Sequence, residues 1–191
     1  MERFATSHPA PSMTLPPSSP RTDSPRSDDP EFARGERSFL RHTLATLAYR
    51  AEKPLRDAPD GFATFRADSG GRTPAEILAH MCDLFDWALS LAQGEHRWNP
   101  VAPTTWDADC ERFFAALAAL DAHLADPDLT LGRGAAVIFQ GPIADALTHT
   151  GQLCMLRRMA GSPIRGENYA KAHIRAGRVG RDQQGRRVEF D

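Results

Sequence analysis

The chain has 191 residues, of which 41% are apolar and 25% charged, and its formal net charge is −2. These values are typical of one globular domain with a real core, and they exclude a strongly basic or acidic surface as the basis of function. We therefore expect no nucleic-acid partner. No run of about 18 apolar residues is present, and no apolar segment follows the N-terminus, so we expect neither a membrane span nor a secretory signal.

The cysteine content points to a reducing compartment. The three cysteines are Cys82, Cys110 and Cys154, and an odd number at these spacings gives no disulfide framework. Each falls within a predicted helix. We therefore expect reduced thiols and a cytoplasmic protein.

The first half of the chain predicts a leader and two helices. Residues 1–30 hold seven of the fifteen prolines, with many Ser, Thr, Asp and Arg residues, which predicts a disordered leader. Apolar residues then recur at helical spacing from about Glu31 until Pro54 ends the first helix. Thr73-Pro74-Ala75-Glu76 has the capping-box pattern and predicts a second helix from Thr73 to about Gly94.

His80 lies on the second predicted helix among apolar neighbours. A histidine in such surroundings is more often a satisfied core residue than a ligand. Asp83, Asp86 and Ser90 lie to one side and are predicted to mark the more hydrated face of the helix. In the following loop, 94–104, Trp98 is expected to cover the core rather than to close a cleft.

Two further helices are predicted. The third runs from about Thr105 to Asp126, and residues 127–141 form a long connection. The fourth begins with Pro142 in its first turn and ends before Gly161, which suits the left-handed position beyond a helix end.

Asp145 and His149 lie one turn apart on the same face of the fourth helix. Arg157 and Arg158 are expected to reach water and point elsewhere, so the pair should face inward or line a cleft. A buried carboxylate or imidazole needs a partner. Either a metal ion or a hydrogen bond between the two side chains would supply it.

The tail over residues 171–191 is basic and rich in glycine. Aromatic residues are sparse in and beside this segment, which has only Phe190 and the preceding Tyr169, and this argues against RNA binding. We expect it to wrap its own domain or a partner subunit.

The overall pattern predicts an all-α protein, a four-helix bundle over residues 31–170 with long crossover loops. Metal sites in bundles are built from facing helices, so His80, Asp145 and His149 could converge. Two imidazoles and one carboxylate suit Zn, Ni, Fe or Mn, and three protein ligands leave positions open for substrate. Spacing alone is a weak signal, because two histidines and an aspartate are common in a chain of this length.

Two stretches resemble the damage-inducible DinB-like superfamily of small four-helix bundles, which is distinct from the DNA polymerase that shares its name. Thr73-Pro74-Ala75-Glu76-Ile77-Leu78-Ala79-His80, followed by Asp83-Leu84 and Trp87, resembles that family's second helix. His149-Thr150-Gly151-Gln152-Leu153, with Leu156-Arg157-Arg158 and Gly161-Ser162-Pro163, resembles its fourth helix. The resemblance covers about residues 35–170.

The resemblance implies a divalent-metal site with three histidine ligands, one on the second helix and two spaced His-x-x-x-His on the fourth. The first falls on His80 and the last on His149, but the middle one falls on Asp145. A carboxylate can still ligate, and the departure can equally mean that the site is weakened or lost. Some relatives transfer low-molecular-weight thiols or act in metal-dependent isomerisation or hydrolysis, and relatives are often dimers.

Three interpretations follow. The first is a metal-dependent enzyme, either a thiol S-transferase or a hydrolase, with a small thiol or electrophile as substrate. In it His80, Asp145 and His149 would be the ligands, and Trp87 and Gln152 would shape the pocket. The second is a metal-free module that binds a small ligand. The third is a stress-related structural homodimer without chemistry, which would lack a pocket near His80.

Overall fold

The computed structural model describes residues 30–183, 189 and 190, and this part of the chain is all-α, as predicted. The helices are α1 (Pro30–Leu55), α2 (Pro74–Ala92), α3 (Trp106–Ala125), the short α4 (Ala135–Ile138) and α5 (Ala144–Met159). These residues contain no β-strand, only an isolated antiparallel bridge between Glu167 and Glu189. No helix among them is long and apolar enough to span a bilayer. The predicted leader lies outside the described residues except for Pro30.

The helix ends follow local rules. Thr73 Oγ1 accepts a hydrogen bond from the Glu76 N–H at 3.2 Å, and the Glu76 carboxylate accepts one from the Thr73 N–H at 2.7 Å. This reciprocal pair is the predicted capping box, and it holds the start of α2. At the end of α5, Gly161 takes a φ of 77°, and the Ser162 N–H bonds to the Arg157 carbonyl, as in a Schellman motif.

The core lies between the four long helices. α2 packs most extensively on α3, while α1 packs on α3 and α5, and α2 also packs on α5. Full burial of a large apolar side chain contributes about 1.5–3 kcal/mol, and all four helices supply such residues. Among those buried almost completely are Leu44, Leu78, Phe85, Phe113, Leu117 and Leu153.

The predicted start of the last helix at Pro142 is wrong. A π-helical turn, Phe139–Ile143, joins α4 directly to α5, so the helical stretch begins at Ala135. A proline inside a regular α-helix lacks an N–H and clashes with the preceding turn. Here the Ala144 N–H reaches the carbonyl of Phe139, five residues back, and the wider turn accommodates Pro142. The predicted long connection is shortened accordingly.

Arg157 is buried rather than hydrated, which corrects the expectation from the helical wheel. Its side chain donates to the carbonyls of Pro54 and Arg56, at 3.1 and 3.0 Å, and to both oxygens of Ser162. Helix ends leave carbonyls without intrahelical partners, and Arg157 satisfies those at the end of α1. Arg158, its neighbour, is exposed as expected.

The segment after α5 returns along α1. Lys53 is buried and pairs with Glu167 at 2.9 Å and Glu189 at 2.8 Å, and Tyr49 donates a short hydrogen bond to Glu167. Burial opposes the charge on Lys53, but the hydrogen bonds to Glu189 and Glu167 outweigh it and raise the pKa of the amine. Val179 in the predicted tail is also buried. The described part of the C-terminal segment is therefore anchored to its own domain.

Candidate metal centre

Two antiparallel helices bring the predicted ligands together. Ile77 shares a groove with Gln152 and Leu156, while His80 lies against Asp145, so the numbering of α2 and α5 runs in opposite directions. His80 Nε2 is 3.3 Å from Asp145 Oδ2, and His149 Nε2 is 3.4 Å from Asp145 Oδ1. The imidazole rings are perpendicular, with centroids 4.9 Å apart. One ligand atom from each residue lies within 4.8 Å of the others.

The cluster forms the wall of a cleft. The exposed fractions of the side chains are 10% for His149, 21% for His80 and 46% for Asp145. The imidazoles are thus held by packing on their helices, while the carboxylate faces the opening. This arrangement suits a site that a small molecule can reach.

Gln152 forms a hydrogen bond with His149. The Gln152 Oε1 lies 2.7 Å from His149 Nδ1. A carbonyl oxygen only accepts, so Nδ1 carries the hydrogen and donates it. In the neutral imidazole the lone pair is then on Nε2, the atom that faces Asp145. An outer hydrogen bond of this kind is how most metal-binding histidines are oriented.

This geometry places acceptor atoms against one another. The lone pair of His149 Nε2 points toward a carboxylate oxygen, and the same carboxylate lies against His80. A proton or a cation between these atoms relieves the repulsion. Ligand atoms around a tetrahedral ion at about 2.0–2.2 Å are separated by about 3.3–3.6 Å, and the two nitrogen–oxygen distances, 3.3 and 3.4 Å, match this spacing. The remaining pair of ligand atoms lies within 4.8 Å, so in the same geometry it would close by at most about 1.5 Å when an ion binds. The residues present therefore fit a metal ion.

Aromatic side chains wall the cluster on the α2 side. Trp98 contacts the edge of His80, with centroids 5.8 Å apart, and also contacts Trp87 at 5.8 Å. Trp98 is 40% exposed. The sequence predicted it as a core cover, but it lies over a candidate ligand instead.

Buried carboxylates hold the loop that carries Trp98. Asp83 accepts hydrogen bonds from the Val101 N–H at 3.3 Å and pairs with Arg112 at 2.6 Å. Asp109 accepts from the Thr104 N–H and hydroxyl. Asp83 and Ser90 are 4% and 2% exposed, so the predicted hydrated face is wrong for both. The loop buries them by supplying their hydrogen-bond partners.

Two grooves meet at the cluster. One, of about 400 Å³, is lined by Arg72, Ile77, His149, Gln152, Met155 and Leu156, and we call it the Arg72 groove. The other, of about 450 Å³, is lined by Leu84, Trp87, Gln140, Asp145 and Thr148, and we call it the Trp87 groove. Both fall within the size range of small-molecule sites. Arg72 is a lining residue that the sequence did not single out.

The three thiols of the described chain do not belong to this cluster. Burial raises the pKa of Cys82 and of Cys110 to about 12, and it also raises the pKa of Cys154. A protonated buried thiol is neither a nucleophile nor a metal ligand. All three cysteines are free, as predicted.

Comparison of the chain with family models, with curated proteins and with solved structures gives no match.

Proposed function

We propose that the protein binds one divalent metal ion through His80, Asp145 and His149. The observation that carries the proposal is the contact between Gln152 and His149 Nδ1, because it turns the lone pair of Nε2 toward a carboxylate oxygen 3.4 Å away. A cation between these atoms converts a repulsion into two ligand bonds. The nitrogen and carboxylate donors suit Zn, Ni, Fe or Mn.

We further propose that the metal serves a group transfer, with a small thiol and an electrophile as substrates. A bound divalent ion lowers the pKa of a coordinated thiol or water. The protein residues fix the ligands, and Trp87 and Trp98 wall the site. No cysteine of the described chain lies at the cluster, so the thiol has to come from a substrate. Two grooves meeting at one cluster favour a transfer between two bound molecules over hydrolysis, which needs one organic substrate and water.

Metal content tests the first part of this proposal. Protein purified without an affinity tag is expected to contain about one Zn, Ni, Fe or Mn ion per chain by elemental mass spectrometry. Absence of metal, even after reloading with each of the four ions, would overturn the proposal. The contacts of Asp145 with His80 and His149 would then be hydrogen bonds within a metal-free ligand-binding protein.

Activity tests the second part. Metal-loaded protein is expected to accelerate the reaction of a small thiol such as cysteine with an aromatic electrophile, and the metal-free protein is not. Cleavage of a nitrophenyl ester without thiol consumption would instead indicate a hydrolase.

Gln152→Met is expected to weaken metal binding about tenfold, because loss of an outer hydrogen bond to a metal-binding histidine typically costs 10- to 100-fold. Gln152→Glu retains an acceptor and should bind metal as tightly as the native protein. Competition against a chromophoric chelator measures both affinities. Equal affinities for the Met and Glu variants would show that the contact does not orient His149.

The fold type and setting form part of the same proposal. The packing of four long helices and the motifs around His80 and His149 support a DinB-like four-helix bundle. Three cysteines without disulfides support a reducing compartment, and hence the cytoplasm. The homodimer and the stress-related role stay predictions of the resemblance.

A further inference from the structure

The Arg72 groove has a chemical asymmetry along its length. One end is formed by His149 and Gln152 at the metal cluster, and the other by Arg72 just before α2. Between them lie Ile77, Met155 and Leu156. The groove is therefore apolar between a polar cluster and a single cation.

The wall from α5 leaves apolar surface open. Met155 is 57% exposed although it lines the groove. The methionine side chain is flexible and polarisable, so it adapts to apolar ligands of different shape. An apolar body entering the groove would cover this side chain and gain the free energy of burying it.

The cation at the far end is available. Arg72 is exposed and makes no hydrogen bond or ion pair within residues 30–183. The nearest acid, Glu76, interacts with it electrostatically, but the carboxylate of Glu76 accepts hydrogen bonds from Thr73 and pairs with Arg66. A free guanidinium offers two parallel donors that match a carboxylate.

The separation of the two ends sets the length of the ligand. Pro74 precedes His80 by six positions, which corresponds to about 9 Å along α2 at about 1.5 Å per residue, and the extended N-cap residue Thr73 adds to the separation between Arg72 and the cluster. We propose that the Arg72 groove binds one substrate of the metal centre, an elongated molecule with an apolar body and a terminal carboxylate. The carboxylate pairs with Arg72, and the opposite end faces the metal cluster. The role of this molecule as a substrate rests on the proposed function, but its binding in the groove does not.

Octanoate and the uncharged octanamide are suitable probes, and the metal-free protein is the form to use. Methyl-labelled methionine allows binding to be followed by NMR. Octanoate is expected to shift the methyl signal of Met155, while that of Met159, which is also half exposed but does not line the groove, stays in place. Arg72→Gln should weaken octanoate binding at least fivefold and leave octanamide binding unchanged. Arg158→Gln, which removes an exposed arginine at the end of α5, should change neither the octanoate affinity nor the octanamide affinity.

Three results would overturn the proposal. One is equal octanoate affinity in the native protein and in Arg72→Gln. The second is absence of any shift at Met155 up to the solubility limit. The third is a shift that requires Zn²⁺ and is lost in His149→Ala, which would place the carboxylate on the metal. Because the probes are tested without metal, octanoate binding can be measured even if the protein binds no metal. The metal-content measurement is likewise independent of whether the groove binds octanoate.

Discussion

Replacing His149 with alanine is expected to weaken Zn²⁺ binding at least a hundredfold. The substitution removes one of three proposed ligands and leaves Gln152 without the imidazole that it orients. Loss of an outer hydrogen bond alone typically costs 10- to 100-fold, so loss of the ligand itself should cost more. Affinity measured by competition with a chromophoric chelator, and the visible spectrum of the Co²⁺ form, check the result.

His42→Ala is the matched control, because His42 is an exposed histidine on α1. It should bind Zn²⁺ like the native protein. Both variants should unfold at the temperature of the native protein, within a few degrees, when all are metal-free. Equal Zn²⁺ affinity of the His149→Ala and native proteins would remove this histidine from the site.

Arg157→Ala is expected to lower the free energy of unfolding by about 3 kcal/mol or more. The substitution leaves the carbonyls of Pro54 and Arg56 without their donor, and each unsatisfied buried polar group costs about 1–3 kcal/mol. It also removes the guanidinium from its position 5.6 Å from the centre of the Phe62 ring. Chemical denaturation of the metal-free protein measures the change.

Arg158→Ala provides the comparison within the same turn of α5, and a change within about 0.5 kcal/mol is expected because surface substitutions usually have small effects. Arg157→Lys keeps the charge but offers one nitrogen in place of three, so it should fall between the two. If Arg157→Ala and Arg158→Ala have the same free energy of unfolding, the hydrogen bonds from Arg157 to the end of α1 do not stabilise the contact between α1 and α5.

The helix boundaries, apart from the start of the last helix, could be predicted because their causes are local. The capping box of α2 involves residues three apart, and the Gly161 turn depends on one residue without a side chain. The pairing of Asp145 with His149 follows from helical spacing, and the approach of His80 follows from the expected packing of helices. Predicting these parts of the candidate site required only helical spacing and the expected packing of the helices in a bundle.

The remaining features depend on contacts between distant segments. The burial of Asp83 and Ser90 requires the loop that follows α2, and the burial of Arg157 requires the end of α1, about a hundred residues away. The position of Arg72 beside Met155 likewise depends on the antiparallel alignment of two helices. No periodicity within one helix reports such contacts, so the sequence alone placed Arg157 in water and left Arg72 unnoticed.

The π-helical turn before α5 is equivalent to one residue inserted into a regular helix. A relative with one residue fewer between Phe139 and Ile143 would have an ordinary α-helix there, and its later residues would face the same way, because the wide turn absorbs the extra residue. If this chain kept the residue but formed a regular α-helix, every later residue would turn by about 100° relative to α4, and Asp145 and His149 would no longer face α2. An ungapped alignment through this turn would consequently pair the wrong residues, and homologous ligands are best sought by allowing one gap at Gly141–Pro142.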